Sequence, residues 1–438
     1  MTPNSYPQNI VDVSNLAALA FLQGDLERAT DLYRQGISLA PTILQKAKLA
    51  IELAWMIGNL DQDQARREIN SALEMLLPAE EDNNPEIMAC RSGGQALKSW
   101  LEWDTNPEVG KRIAENAHQQ LKFLTRDDLS FAGKTQAYFD CAFVTHLLGY
   151  ENEAILSCEK FLQNELNDWF RIAGLSLYSE ALRNNGRQQD SEQCLAEAIQ
   201  HAKDYRPLLA TLYFQQGTTQ RGLKPASDND FLQAQESFRQ AQKSFRRALQ
   251  CFDVDPYREY RHELQLSIYM NLAAVSFDLA DFPTAIAAYE RVVRSTAPDH
   301  PCHAEALLYL ARGYANVKNF EEALKGYEKV LNASAASDAE KQQAQEGKAL
   351  SLYEIGQYSL AIPALRKTMK GYKKSDARFM ANLLCEGYCY EHLKDYNKAK
   401  ACYEQIMRSP HALEEDKTDA MKRLSLISSV VEEKFGNA

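Results

Sequence analysis

The sequence predicts an all-α chain, a stack of antiparallel helix hairpins, on three observations. Ala285, Ala323, Ala361 and Ala399 recur every 38 residues, with Phe282, Phe320, Tyr358 and Tyr396 three before them. In the same phase stand Tyr289, Tyr327, Leu365 and Tyr403 four after, and Ala273, Ala311, Ala349 and Gly387 twelve before. Segments such as 320–331, Phe-Glu-Glu-Ala-Leu-Lys-Gly-Tyr-Glu-Lys-Val-Leu, place apolar residues at the i, i+3, i+4, i+7 spacing of one helix face. Gly and Pro are sparse, 19 and 14 in 438 residues, which favours long helices over many-stranded sheets.

Each repeated feature has a physical task. A small residue on the first helix and an alanine on the second let two helices approach closely. The aromatics then fill the space between one hairpin and the next. Between the helices lie Ala280-Asp281, Lys318-Asn319, Gly356-Gln357 and Lys394-Asp395, where Gly, Asn and Asp tolerate the left-handed conformation that ends a helix. These residues resemble the tetratricopeptide repeat family, whose 34-residue helix–turn–helix unit carries small residues, a turn and aromatics in this order. The longer period adds about one helical turn per unit, which keeps the faces in register. The resemblance implies a right-handed superhelical solenoid, here of about nine or ten hairpins.

The pattern reaches back through the chain. Gly24-Asp25, Ala29, Tyr33 and Pro41 fit a first repeat, and Gly149-Tyr150, Ala154 and Cys158 fit another at about 135–165. Gly186, Ser191 and Leu195 fit a third at about 172–203. The expected organisation is a short tail over 1–14, then hairpins over 15–133 that are degenerate after the first. A solenoid follows over 134–410, interrupted by a loop near 217–230 that holds Gly217, Gly222 and Pro225. Residues 411–438 form a charged helix, Leu413 to Phe435, that suits the solvating cap a solenoid end requires. Lys348 and Glu386 stand where the family has Leu, one period apart. They would pair across adjacent repeats, or reach solvent on a slightly rotated helix.

The net charge of −11 points away from a general nucleic-acid binder and from a membrane-surface protein. The best basic patch, Lys243, Arg246 and Arg247 with Arg258 and Arg261, reads as a solvated helix face. The segment Met1–Asn15 has neither a basic nor an apolar stretch of the secretory kind, and no apolar run is long enough to span a bilayer. The nine cysteines are odd in number and scattered, which suggests reduced thiols in a cytoplasmic protein. No Gly-rich phosphate loop or nucleophile elbow is present, so no catalysis and no cofactor are expected. Cys385, Cys389, His392 and Cys402 come nearest to a metal set. Their helical spacing is not the loop spacing of zinc sites, and they read as packed thiols.

By the resemblance, first-helix positions face an inner groove. Carried over, they place Phe139, Asp140, Phe143 and His146 there, then Glu180, Arg183 and Asn184, then Met270, Asn271, Phe277 and Asp278. Further along they place Tyr309, Arg312 and Asn316, then Glu346, Tyr353 and Glu354, then Tyr388, Glu391 and His392. Aromatic and Arg side chains are enriched among interface hot spots. The residues expected to grip a protein or peptide partner are Asn271, Tyr309, Arg312, Asn316, Tyr353, Tyr388, Arg183 and Asn184. The carboxylate clamp by which some family members hold chaperone tails is incomplete. Asn271 fits it, but Glu305 and Tyr309 replace the required cations. The expected function is a non-catalytic adaptor or scaffold. The alternative is a peptide-switched regulator of a protein partner, for which repeat one, beginning near Leu16, leaves no room for a preceding DNA-binding domain. Solenoids also self-associate through end repeats, a mode the sequence leaves open.

Overall fold

The computed structural model describes residues 10–58, 60–77, 84–222 and 228–435. Among them every regular element is a helix. Six antiparallel pairs come first: α1 (Ile10–Leu22) with α2 (Leu26–Leu39), α3 (Ile43–Ile57) with α4 (Gln62–Leu76), and α5 (Pro85–Trp103) with α6 (Pro107–Leu124). Then follow α7 (Lys134–Leu147) with α8 (Glu151–Leu162), α9 (Asp168–Asn184) with α10 (Gln188–His201), and α11 (Arg206–Arg221) with α12 (Asp228–Phe252). The later pairs are α13 (His262–Asp278) with α14 (Phe282–Ser295), α15 (Pro301–Asn316) with α16 (Phe320–Asn332), α17 (Asp338–Glu354) with α18 (Tyr358–Met369), and α19 (Ala377–His392) with α20 (Tyr396–Arg408). A last helix, α21 (Glu414–Phe435), ends the chain. The chain divides into two compact units, Met1–Asn271 and Leu272–Ala438.

In the second unit the repeated small residues do what their size allows. Ala273, Ala285, Ala311, Ala323, Ala349, Ala361 and Ala399 are all fully buried. At Gly387 an added Cβ would lie 2.5 Å from the Tyr403 ring, so the missing side chain is the seat of a buried aromatic. The turns differ from expectation. The left-handed residue is the first of each pair, at Ala280, Lys318, Gly356 and Lys394. Asp281, Asn319 and Asp395 instead cap the following helix, each accepting from the backbone N–H three residues on. Position decides this, because a side-chain oxygen can reach those free N–H groups only from the N-cap.

Of the two readings open for Lys348 and Glu386, a mutual pair does not form; each bonds to another partner. Lys348 Nζ lies 2.9 Å from Glu328 Oε1, and Arg366 Nε lies 2.7 Å from the buried Glu386 Oε1. Both bridges join a second helix to the first helix of the next hairpin, with the charges exchanged. Stacked hairpins bring those two surfaces together, and Lys348 and Glu386 each find a partner there instead of in one another.

The first unit corrects three further expectations. Helix α1 begins at Ile10, so the tail is shorter than 1–14, and residues 1–9 lie outside the described residues. The interruption near 217–230 is also narrower, since α11 runs to Arg221 and α12 begins at Asp228. Residues 223–227, with Pro225, lie outside the described residues. Gly217 belongs to α11 because a Cβ there would stand 2.6 Å from the Phe245 ring; it is a packing glycine. Arg261 is no solvated cation either. It forms a 2.5 Å pair with Asp255, whose side chain is wholly buried.

The first hairpin also packs against the far end of its own unit. The Phe21 ring stacks on Tyr257 at 4.9 Å and meets Trp169 edge-on at 5.5 Å. The Tyr257 hydroxyl donates to the Phe21 carbonyl at 2.7 Å, and the left-handed Gly24 leaves room for Pro256.

Candidate functional site

In the second unit, α17 starts at a capping box made by Ser337 and Glu340, and α19 is capped by Asp376. The two first helices run side by side and bring Tyr353 and Tyr388 to a ring separation of 6.3 Å. His392, one turn beyond Tyr388, stacks flat on Tyr358 at 4.4 Å, with Tyr353 6.5 Å away and edge-on. Tyr353, Tyr388 and His392 line a pocket of about 190 Å³ together with Tyr396 and Glu391, and with Arg423, Leu426 and Ile427 from α21.

Helix α21 is therefore part of the site and not only a solvating end. The Arg423 guanidinium lies 4.8 Å over the Tyr388 ring, with Nη1 3.4 Å from Glu391 Oε1. The Tyr388 hydroxyl donates to Asp419 Oδ2, and Tyr403 donates to Glu391 Oε2 at 2.8 Å. Burial, with Asp419 beside it, holds the Tyr388 phenol well above its ordinary range, so it acts as a donor. The pocket can take an apolar or aromatic side chain between its rings. Its charged groups are fixed at the rim by their own partners.

Tyr309 and Arg312, on α15, belong to another aromatic set. Tyr309 stacks on Tyr289 at 5.7 Å, and the Arg312 guanidinium lies 5.2 Å over Tyr309 and 5.7 Å over Phe277. Among the described residues no carboxylate pairs with Arg312. Asn316 is exposed and donates to the Arg312 carbonyl at 2.9 Å.

In the first unit, Asn184 donates to Glu151 at 3.0 Å, and Glu151 also holds His146 Nδ1 at 2.8 Å. His146 Nε2 lies 3.5 Å from Glu180, which accepts from Gln215 at 2.8 Å. Burial opposes the His146 cation, but the bonds from Glu180 and Glu151 outweigh it and raise its pKa. Arg183 is half-buried beside this network. Asn271 accepts from Arg221 at 3.1 Å and donates to the Ser267 carbonyl at 2.9 Å, so its amide is engaged within the chain.

Of the residues expected in the groove of the first unit, Phe139 and Phe143 are half-buried in ring contacts and Asp140 is buried. Trp55 meets Phe143 edge-on at 4.7 Å and Phe139 at 6.0 Å, while Phe139 also reaches Phe161 at 5.2 Å. Asp140 is 3% exposed. Helix α5 comes close to α7 because Gly93 has no side chain there; a Cβ would lie 2.3 Å from Asp140 Oδ2. What sequence reasoning missed was the share of α21 in the site. Asp419, Arg423 and Ile427, spaced four apart, form one helix face, and that spacing was the available signal.

Among the described residues no group of three or more His, Cys, Asp or Glu is placed to hold a metal ion. Burial pushes the Cys385 thiol up to about 11 and those of Cys389 and Cys402 to about 12. None of the described helices is long and apolar enough to cross a membrane.

Stacked hairpins with small residues at their crossings define a class, the helical repeat proteins. Tetratricopeptide repeat models match residues 271–339 and 386–409, so the chain contains tetratricopeptide repeats. No curated protein matches it in sequence. Among solved structures it is similar to a Rap protein complexed with competence and sporulation factor, at 12% identity over 95% of this chain and 100% of that one, with a TM-score of 0.46. It is similar also to a human IFIT1 dimer with m7Gppp-AAAA, at 14% identity over 91% and 81% of the two chains, TM-score 0.43. A tetratricopeptide repeat protein from Parabacteroides merdae matches at 18% identity over 60% of this chain and 93% of that one, TM-score 0.41.

Proposed function

We propose that the chain is a non-catalytic scaffold that binds a segment of a partner protein, with the pocket around Tyr353 and Tyr388 as the anchor point. The carrying observation is that pocket: about 190 Å³, walled by three tyrosines and a histidine, with an Arg–Glu pair at its rim. Rigid rings offer contact area at small entropy loss, and central aromatic pockets are where interface energy concentrates. Tyr309, Arg312 and Asn316 offer a second contact, a cation over aromatic rings beside an exposed amide. Arg183, Asn184 and Asn271 are secondary contacts. The side-chain bonds that Asn184 and Asn271 make within the chain would have to be exchanged on binding. A cytoplasmic setting suits nine cysteines that are all free.

The test is selection of peptides from a random library against the full chain, followed by titration of the Tyr353→Ala and His392→Ala variants. Selected peptides lose about tenfold or more in affinity to either variant. Peptides that bind both variants as tightly as the parent chain overturn the assignment.

A second reading is a peptide-switched regulator of a protein partner. It is favoured by Asp419 and Arg423 of α21, which hold the inner-face groups Tyr388 and Glu391 as an incoming segment would. A ligand taking those partners would release α21. Hydrogen exchange in α21 then quickens when the selected peptide is added; unchanged exchange leaves the plain scaffold.

A further inference from the structure

The end of α18 and the turn after it form a cationic surface on an acidic chain. Between 366 and 378 stand Arg366, Lys367, Lys370, Lys373, Lys374 and Arg378, while the whole chain carries −11. Two of the six are committed. Arg366 holds Glu386 and the Tyr390 hydroxyl, and Arg378 holds Asp376 through two bonds of 3.1 and 2.9 Å. The four lysines are exposed, and none of their ammonium groups has a hydrogen-bond or ion-pair partner among the described residues. The nearby carboxylates are already used. Glu346 accepts from Tyr372 and Asn382, and Glu340 caps α17 through Ser337.

The turn is held in shape. Gln342 donates to the Thr368 carbonyl at 2.8 Å and occupies the space that a side chain at Gly371 would need. Tyr372 is fixed through its hydroxyl to Glu346 at 2.9 Å, and the Arg378 guanidinium covers its ring at 4.5 Å. Beside Lys373 this leaves a cavity of about 500 Å³, whose wall also includes Gln343, Ser375 and Asp376, the last neutralised by Arg378. It is formed in part by the first turns of α17, some eleven residues before Tyr353, or about 16 Å along the helix. It is thus a separate place from the tyrosine pocket.

We propose that this surface docks an acidic segment of a partner protein. Four like charges with no counter-ion in the fold repel one another, and a run of carboxylates relieves that repulsion. The amides of Gln342 and Gln343 and the Ser375 hydroxyl give the wall groups that can meet a peptide backbone. A short segment suits the cavity. A long polyanion laid along a chain of net −11 meets repulsion everywhere else.

The experiment uses the full chain and a labelled deca-glutamate peptide, with an oligouridylate of equal length as the second probe. The variant is Lys367→Gln, Lys370→Gln, Lys373→Gln, Lys374→Gln together, its helicity checked by circular dichroism. The parent chain binds the peptide, raised salt weakens it, and the fourfold variant loses about thirtyfold, taking each exposed pair at its usual modest strength. Tyr353→Ala leaves this binding unchanged, so a failure here is distinct from a failure of the tyrosine pocket. Equal peptide binding by the fourfold variant overturns the proposal. So does tighter binding of the oligouridylate, or loss of peptide binding in Tyr353→Ala.

Discussion

Asp140 gives the sharpest prediction about stability. Its carboxyl is 3% exposed, accepts one side-chain bond, from Gln136 Nε2 at 2.9 Å, and lies against the backbone of Gly93. No cation pairs with it among the described residues. Burial raises its pKa to about 7, while Gln136 pulls weakly the other way. In the unfolded chain an aspartate ionises near 4. Below that pH both states hold the proton and the group is neutral to stability. Between about 4 and 7 the unfolded chain ionises while the folded one keeps its proton, and stability falls by about 1.4 kcal/mol per pH unit. Above about 7 the loss is complete, on the order of 4 kcal/mol. Asp140→Asn removes the titration and keeps the shape. The four tryptophans, Trp55, Trp100, Trp103 and Trp169, all lie in the first unit, so urea denaturation followed by their fluorescence reports on it alone. The variant gains on the parent chain steadily from pH 4 to 7, and at pH 8 is about 2–4 kcal/mol more stable. A difference between the two that stays constant across pH would refute the reasoning, because it would mean that Asp140 ionises alike in both states.

Two further changes test the closure of the first unit and the turns of the second. Tyr257→Phe keeps the ring stack on Phe21 but removes the 2.7 Å donor to the Phe21 carbonyl, which retains the Gly24 N–H at 2.9 Å. It lowers the stability of the first unit by about 0.5–1.5 kcal/mol. The same fluorescence assay reads it through Trp169, edge-on to Phe21, and an unmoved midpoint means that the bond contributes nothing. Lys318 holds a φ of +61° that glycine adopts freely. Lys318→Gly therefore raises stability by about 0.5–1 kcal/mol in thermal melting, net of glycine's greater unfolded entropy. A lower melting point would show that the Lys318 side chain has a role beyond the turn.

How much was legible follows from what the sequence pattern can encode. Close helix packing demands a small residue, and that demand recurs each time the packing recurs, so Ala285, Ala323, Ala361 and Ala399 announce their hairpins. The pairing of Tyr353 with Tyr388 is legible for the same reason, since first helices of successive hairpins are neighbours. The partners of Lys348 and Glu386 stayed open because two kinds of neighbour exist. A repeat period shows which first helices align, but the bridges run from a second helix to the next first helix, 20 residues along the chain in each case. Gly217 was misread because a helix interior that must receive a phenylalanine ring and a loop call for the same residue. Tyr257 meets Phe21 across 236 residues, a contact that no local period carries. Arg423 lies in a helix outside any repeat, so its place over Tyr388 follows only once α21 is packed on α19. The paired tyrosines are thus a property of the repeat, while the charge that meets them comes from where the repeat stops. That division means the aromatic part of the pocket and its Arg423 rim can be altered separately. Arg423→Gln should leave Tyr353 and Tyr388 in place while removing the cation over the ring.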